Sequence, residues 1–239
     1  MSSGKVLSLQ GVRSGYGQVE VLKGVDLDVN SGEYVAIIGA NGHGKTTILR
    51  TASGLLRPRA GKIVFNGEDI SGMPAYRVAE RGLIHVPEGA RLFPQMTVQE
   101  NLMAGAFSRT AWKTRGKNLE KVFKLFPALG ERRGQLALTL SGGERQAVAI
   151  ARGLMAENAK LLMIDEPSAG LAPILIDEVY RQVAEIRKTG IGVLVVEQSP
   201  KRIADCDHIY LIENGEVRMQ GTSKEVLESK EVMQAYLGG

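Results

Sequence analysis

The sequence predicts an α/β fold: a mixed sheet core with an N-terminal antiparallel β region and an inserted helical segment. Three observations carry this. First, the runs YVAII (34–38), LLMID (161–165) and VLVVE (193–197) lack polar alternation. They therefore read as strands buried on both faces, as in parallel sheets. Second, amphipathic stretches separate these runs, as the crossover connections of a parallel sheet require. Third, residues from about 89 to 157 hold few strand signals and several helical ones.

In chain order, KVLSLQGV and VDLDV alternate with period two, the pattern of half-exposed antiparallel strands. YVAII follows as the first buried strand. It leads into the glycine-rich GANGHGKTT, after which the apolar spacing turns helical. TVQENLMAGA and NLEKVFKLF are the clearest helices of the insertion. Basic residues are dense in RTAWKTRGKNLEKVFK (109–124). The stretch reads as a solvated helix face, because Glu120 interrupts the charge and Trp112 is the aromatic available for stacking. No nucleic-acid partner is expected. LLMID and VLVVE complete the buried sheet.

The 239 residues are 44% hydrophobic, enough for a sizeable core and too apolar for a disordered chain. No run approaches the roughly 18 apolar residues of a membrane span, and MSSGKVLSLQGVR lacks the apolar centre of a signal peptide. The lone Cys206 has no disulfide partner within the chain, which fits a reducing cytoplasm, and reads as a small buried filler.

GANGHGKTT fits G-x-x-x-x-G-K-[ST], the loop that wraps a nucleotide's phosphates. Glycines let the chain turn tightly and bring N–H groups against phosphate oxygens. The following helix adds its unsatisfied N–H groups and positive dipole end. Gly39, Ala40, Asn41, Gly42, His43, Gly44, Lys45, Thr46 and Thr47 form this candidate cradle. Lys45 would reach the β and γ phosphates, and the Thr46 hydroxyl would ligate Mg²⁺. Of His43 only the backbone N–H is expected to matter, its side chain pointing to solvent or a facing subunit. With glycine near 7% of average composition, a chance match in a chain this long is on the order of one in a hundred.

LLMIDEP puts Asp165 and Glu166 at the C-terminal end of a buried strand, where ligands bind in open α/β sheets. One acid there holds Mg²⁺, and a second orients and deprotonates an attacking water. VLVVEQS ends in Glu197 and Gln198, whose polar side chains are expected to face the same crevice. LSGGERQAVAIARGLM begins with Ser141 and Glu144, the S-x-x-E spacing of a capping box. A cap leaves Gly142 and Gly143 unexplained, each costing about 1 kcal/mol against alanine in a helix. Two glycines in a first turn suit a ligand that approaches the backbone closely, so Ser141 to Glu144 read as a second phosphate site. One chain already carries one cradle, so the second should serve a nucleotide held by another subunit.

LSGGE, joined to the phosphate loop and LLMIDEP, resembles the ATP-binding subunits of ABC transporters over essentially the whole chain. The resemblance implies a P-loop NTPase of the ABC type, a single domain over 1–239. Its core would be 1–88 and 158–239, and its helical sub-domain 89–157. It implies ATP and Mg²⁺ as cofactors and a head-to-tail dimer with a second ATP-binding subunit. It further implies two integral-membrane permease subunits, a location on the cytoplasmic face of the inner membrane, and Tyr16 stacked on adenine. Where most members carry glutamine after a short strand, IHVPEGARLFP has Glu88, which could contact the metal or its water. Gln198 stands where a histidine is usual, and Ala172 where an aspartate is usual. The set VPEG-R-FP-TV-ENL, DEPS-GLAP and VVEQ resembles the smaller ATP-binding subunit of branched-chain amino acid importers, which receive substrate from a solute-binding protein.

The expected catalytic set is Glu166 as base, Lys45 against developing charge and Gln198 near the γ-phosphate, with Thr46, Asp165 and Glu88 toward the metal. Gln198 lacks the positive charge a histidine can take, so this subunit's own site is expected to turn over slowly. Three alternatives remain at this point: an ATPase of a urea or amide importer, a soluble ABC-type ATPase acting on ribosomes or DNA, and a regulatory nucleotide binder. A phosphate-loop kinase or GTPase leaves LSGGE unexplained.

Overall fold

The computed structural model describes residues 4–156, 158–200 and 203–233. Lys5–Tyr16 (β1) and Val19–Asn30 (β2) pair antiparallel across the two-residue turn at 17–18. Both run well past the alternating segments seen in the sequence. A register shift between Leu9 and Val12 breaks the period-two pattern and re-aims Val12 inward. Ala60–Phe65 (β4) and Glu68–Asp69 (β5) extend this sheet in the order β2-β1-β4-β5. Asn66 and Gly67 join β4 to β5 with φ of 49° and 80°, the paired positive values of a tight hairpin turn.

Tyr34–Ile38 (β3) is buried throughout and leads through the glycine loop into Lys45–Ala52 (α1). Ala75–Glu80 (α2) and Leu83–Val86 (β6) follow. Between β6 and Leu161–Asp165 (β7) the chain is helical: Val98–Ala104 (α3), Arg109–Leu125 (α4), Pro127–Glu131 (α5) and Gly142–Gly153 (α6). Thr97 and Glu100 close a reciprocal cap on α3, which fixes where that helix starts. The basic stretch is α4. It buries Ala111, Asn118, Leu119 and Val122 and exposes most of its cations, with the Arg115 guanidinium 4.2 Å above the Trp112 ring.

Pro173–Lys188 (α7) leads to Gly192–Glu197 (β8), one residue longer than the apolar run VLVVE. His208–Glu213 (β9) and Glu216–Thr222 (β10) form a hairpin over Asn214–Gly215, both at positive φ, and Ser223–Leu227 (α8) follows. The second sheet has the order β10-β9-β3-β8-β7-β6, with every neighbour parallel except β10.

The central strands are apolar on both faces because each separates two cores. Tyr34, Ala36 and Ile38 of β3 pack with α6 and α7, while Val35 and Ile37 pack with α1 and the antiparallel sheet. β7, β8 and β9 divide the same way. Each fully buried aliphatic side chain contributes roughly 1.5–3 kcal/mol. Cys206 is buried, and burial pushes its thiol up to about 12, so it serves as an inert filler.

Candidate functional site

Four parallel neighbours, β3, β8, β7 and β6, deliver their C-terminal ends to one edge of the sheet. The segments leaving that edge carry the glycine loop, Gln198, the Asp165–Glu166 pair and Glu88.

The glycine loop is held by packing and by backbone bonds. A Cβ on Gly39 would sit 2.3 Å from the Ile212 carbonyl oxygen of β9, so no other residue fits without moving the backbone. The His43 carbonyl accepts from Gly215 N–H (3.1 Å), which ties the loop to the β9–β10 turn. Gly44 takes φ 103° at the cap of α1, with no side chain capping the helix and no acid in its first turn. The bare helix start supplies N–H groups and a positive dipole end to an anion. His43 departs from expectation. It is half-buried rather than pointing to solvent, its Nδ1 is enclosed without a partner, and its N–H is directed at the Ala40 carbonyl (3.4 Å).

Lys45 is buried, its ammonium 3.2 Å from the Ala40 carbonyl and 3.6 Å from Glu166 Oε1. The Thr46 hydroxyl donates to Asp165 Oδ1 (3.1 Å). Asp165 is 2% exposed. Burial pushes its carboxyl from 3.8 up to about 6; the Thr46 hydrogen bond opposes the rise, and the charges of Glu166 and Glu88 add to it. Clustered carboxylates and hard oxygen donors suit a hard dication held by one or two carboxylates together with phosphate oxygens. The residues fit Mg²⁺: Thr46 and Asp165 would hold it, and when bound it would neutralise phosphate charge. Glu88 is exposed and lines the same cleft of about 560 Å³ as Thr46 and Asp165.

Glu166 follows β7 at φ 44°, an uncommon conformation for a side-chain-bearing residue, held by its N–H donating to the Val196 carbonyl (3.0 Å). Gln198 is exposed just past β8. Glu197 corrects the sequence reading. It does not face the crevice but is 2% exposed, accepting from Ser168 N–H (3.2 Å), the Ser168 hydroxyl (2.9 Å) and the Tyr180 hydroxyl (2.6 Å). Within β8 Glu197 shares the face of Val193 and Val195, which packs toward α7, so it turns inward, while Gln198 lies past the end of the strand. Tyr16 ends β1 with its ring 42% exposed, and its hydroxyl accepts from Arg50 of α1 (3.2 Å).

At the start of α6 the capping box is closed. Ser141 Oγ accepts from Glu144 N–H (3.3 Å), and Glu144 Oε2 accepts from Ser141 N–H (2.8 Å). Glu144 also pairs with Arg132 (2.8 Å), and the Ser141 bonds hold its carboxyl below the usual range. The glycines have a close approach within the chain: a Cβ on Gly142 would meet Leu171 Cδ2 at 2.9 Å, and one on Gly143 Leu175 Cβ at 3.1 Å.

Three further residues of this region belong to none of the motifs. Arg50 donates to the Tyr16 hydroxyl, and its positive charge opposes the rise at Asp165. His85, in β6, faces Ser53 (Nδ1 to Oγ, 3.3 Å), and burial beside Arg50 and Arg91 pushes its imidazole down to about 4. Arg152 of α6 donates to the Ala90 and Arg91 carbonyls (3.1 and 3.0 Å), clamping the last two of the three successive positive-φ residues, Gly89 to Arg91, that follow Glu88.

A family described as ABC transporter matches residues 22–169. The high-affinity branched-chain amino acid transport ATP-binding protein BraG of Pseudomonas aeruginosa is 41% identical, over 98% of this chain and 100% of its own length. The lipopolysaccharide export system ATP-binding protein LptB of Haemophilus influenzae is 37% identical, over 98% and 97%. Among solved structures, the ADP conformation of an ATP-binding cassette of an ABC transporter aligns with a TM-score of 0.88 at 28% identity, over 99% of this chain and 100% of that one.

Proposed function

The chain belongs to the family of ABC transporter ATP-binding subunits, ATPases coupled to transport, and from that premise we propose that it energises a membrane importer of branched-chain or related small amino acids. The observation that carries the chemistry is the convergence of Lys45–Glu166 and Thr46–Asp165 beneath the uncapped start of α1. ATP and water become ADP and phosphate. The cradle N–H groups and Lys45 hold and neutralise the phosphates, and Glu166 accepts the proton of the water that attacks the γ-phosphorus. Tyr16 supports the adenine, and Gln198 and Glu88 flank the reacting phosphate.

The Ser141–Gly143 tip of a second ATP-binding subunit closes over the γ-phosphate from the opposite side, in a head-to-tail dimer. Two permeases are the membrane partners, a solute-binding protein delivers the substrate, and the subunit is peripheral on the cytoplasmic face. None of the helices among the described residues is long and apolar enough to cross a membrane. The similarity to BraG supports the substrate class. The similarity to LptB supports a second reading, a subunit of a lipid-exporting system.

Glu166→Gln should trap ATP and abolish phosphate release in the assembled transporter; undiminished release removes Glu166 as the base. For the substrate, vesicles carrying the chain with the second ATP-binding subunit, the permeases and the solute-binding protein encoded beside it should take up labelled leucine, isoleucine or valine on ATP addition. Absence of uptake, with ATPase intact, refutes the amino-acid assignment.

A further inference from the structure

Glu197 is a buried carboxylate that the proposed reaction does not use, and it sits one residue before Gln198. Its acceptor bonds go to two places. Ser168, which donates both its N–H and its hydroxyl, lies two residues after Glu166. Tyr180 lies on α7, the helix that follows the SAGLAP segment. The backbone of the preceding residue, Val196, accepts the Glu166 N–H. The last two residues of β8 therefore hold the Glu166–Ser168 segment at three points, and the second of them also grips α7.

We infer that Glu197 is a positioning residue, which fixes the aim of Glu166 and locks Gln198, the segment 166–168 and α7 into one unit. The inference rests on the reading of Glu166 as the base. A residue in a left-handed backbone conformation persists only where its surroundings over-determine it. Glu166 is such a residue, and Val196 and Glu197 supply the restraint. A carboxylate is suited to the task because its two oxygens accept several bonds at once without a donor of its own to satisfy. The Ser168 and Tyr180 hydroxyls and the Ser168 N–H all arrive as donors, so an acceptor-only group meets each of them. Glu197 acts through Glu166 and Gln198 and does not touch the phosphates. Ser168 begins the segment where this chain has Ala172 in place of an aspartate, so a displacement of that segment reaches Gln198 through Glu197.

Glu197→Ala, Glu197→Gln and Tyr180→Phe test this in the full chain. Glu197→Ala should lower kcat for ATP at least tenfold with KM and the affinity for a fluorescent ATP analogue changed less than twofold. Amide hydrogen exchange over 166–170 should accelerate, with the phosphate loop unchanged. Glu197→Gln, which keeps one carbonyl acceptor and whose amide can face the Ser168 hydroxyl, should recover most of the rate and protection. Tyr180→Phe should fall between. The inference is overturned if Glu197→Ala leaves 166–170 protected, if KM rises while kcat holds, or if Glu197→Gln is as impaired as alanine. Glu166→Gln in the same assays separates the two readings: if it still releases phosphate the base assignment fails, while the exchange result still decides whether Glu197 holds the segment.

Discussion

Asp165→Asn should make the metal-free protein more stable while abolishing its chemistry. The folded chain holds the Asp165 proton with a value of about 6 against 3.8 for the ordinary carboxyl, burial being the main cause. A rise of that size corresponds to about 3 kcal/mol between the charged and neutral forms. Because the folded value lies above the unfolded one, this stabilising effect is fully present below pH 3.8 and lost as pH rises through 6. At pH 7.5 the buried charge is therefore a net cost. Asparagine keeps an acceptor for Thr46 and removes the charge, but it buries an amide NH₂ that costs about 1 kcal/mol. The expected gain at pH 7.5 is about 2 kcal/mol, or roughly 4–8 °C in melting temperature for a domain of this size. The assay is a pair of thermal melts in chelator without nucleotide, at pH 7.5 and pH 4.5. The gain should vanish at the lower pH, where most of the penalty has gone in the parent too. A variant that melts at or below the parent at pH 7.5, or gains equally at both, refutes the reasoning.

Gln198→His should raise phosphate release by the assembled transporter severalfold, since imidazole can both donate to the γ-phosphate and take charge; no change or a fall argues against a slow native site. Gly39→Ala should lose at least about 2 kcal/mol of stability, in the range of overpacking strain, because its Cβ meets the Ile212 carbonyl at 2.3 Å. ATP-analogue titration should show at least a tenfold weaker Kd, and a parent-like melt and affinity would refute the packing argument. Ala172 caps α7 with extended backbone and no side-chain acceptor, so Ala172→Asp should add about 1 kcal/mol, seen as a melting temperature roughly 2–4 °C higher at pH 7.5.

The buried strands were legible because their signal is local. YVAII and LLMID coincide with β3 and β7 to the residue, since a strand covered on both faces is apolar at every position. The convergence of the acid pair with Lys45–Thr46 was legible because each motif sits at the end of a strand that is itself legible. β9 and β10 were not read, although Asn214–Gly215 between them is a hairpin signal of the same kind as Asn66–Gly67. The inward turn of Glu197 had no local signature, because its partners Ser168 and Tyr180 lie 29 and 17 residues away in sequence. The close packing of Gly142 and Gly143 on Leu171 and Leu175 was equally invisible: it depends on where α7 lies, which no window around LSGGE contains.

The strand order β3-β8-β7-β6 turns the hydrogen-bonded ladder into a ruler. Neighbouring strands stand roughly 4.8 Å apart, so the four polar chain ends are graduated over about 15 Å without any loop having to measure the gaps. The chain visits those marks out of turn, first, fourth, third and second. A single inserted residue within β7 would turn the Asp165 side chain to the opposite face of the sheet and displace Glu166 from its turn. Length, in these four short strands, is therefore as tightly constrained as the identity of any residue at their tips.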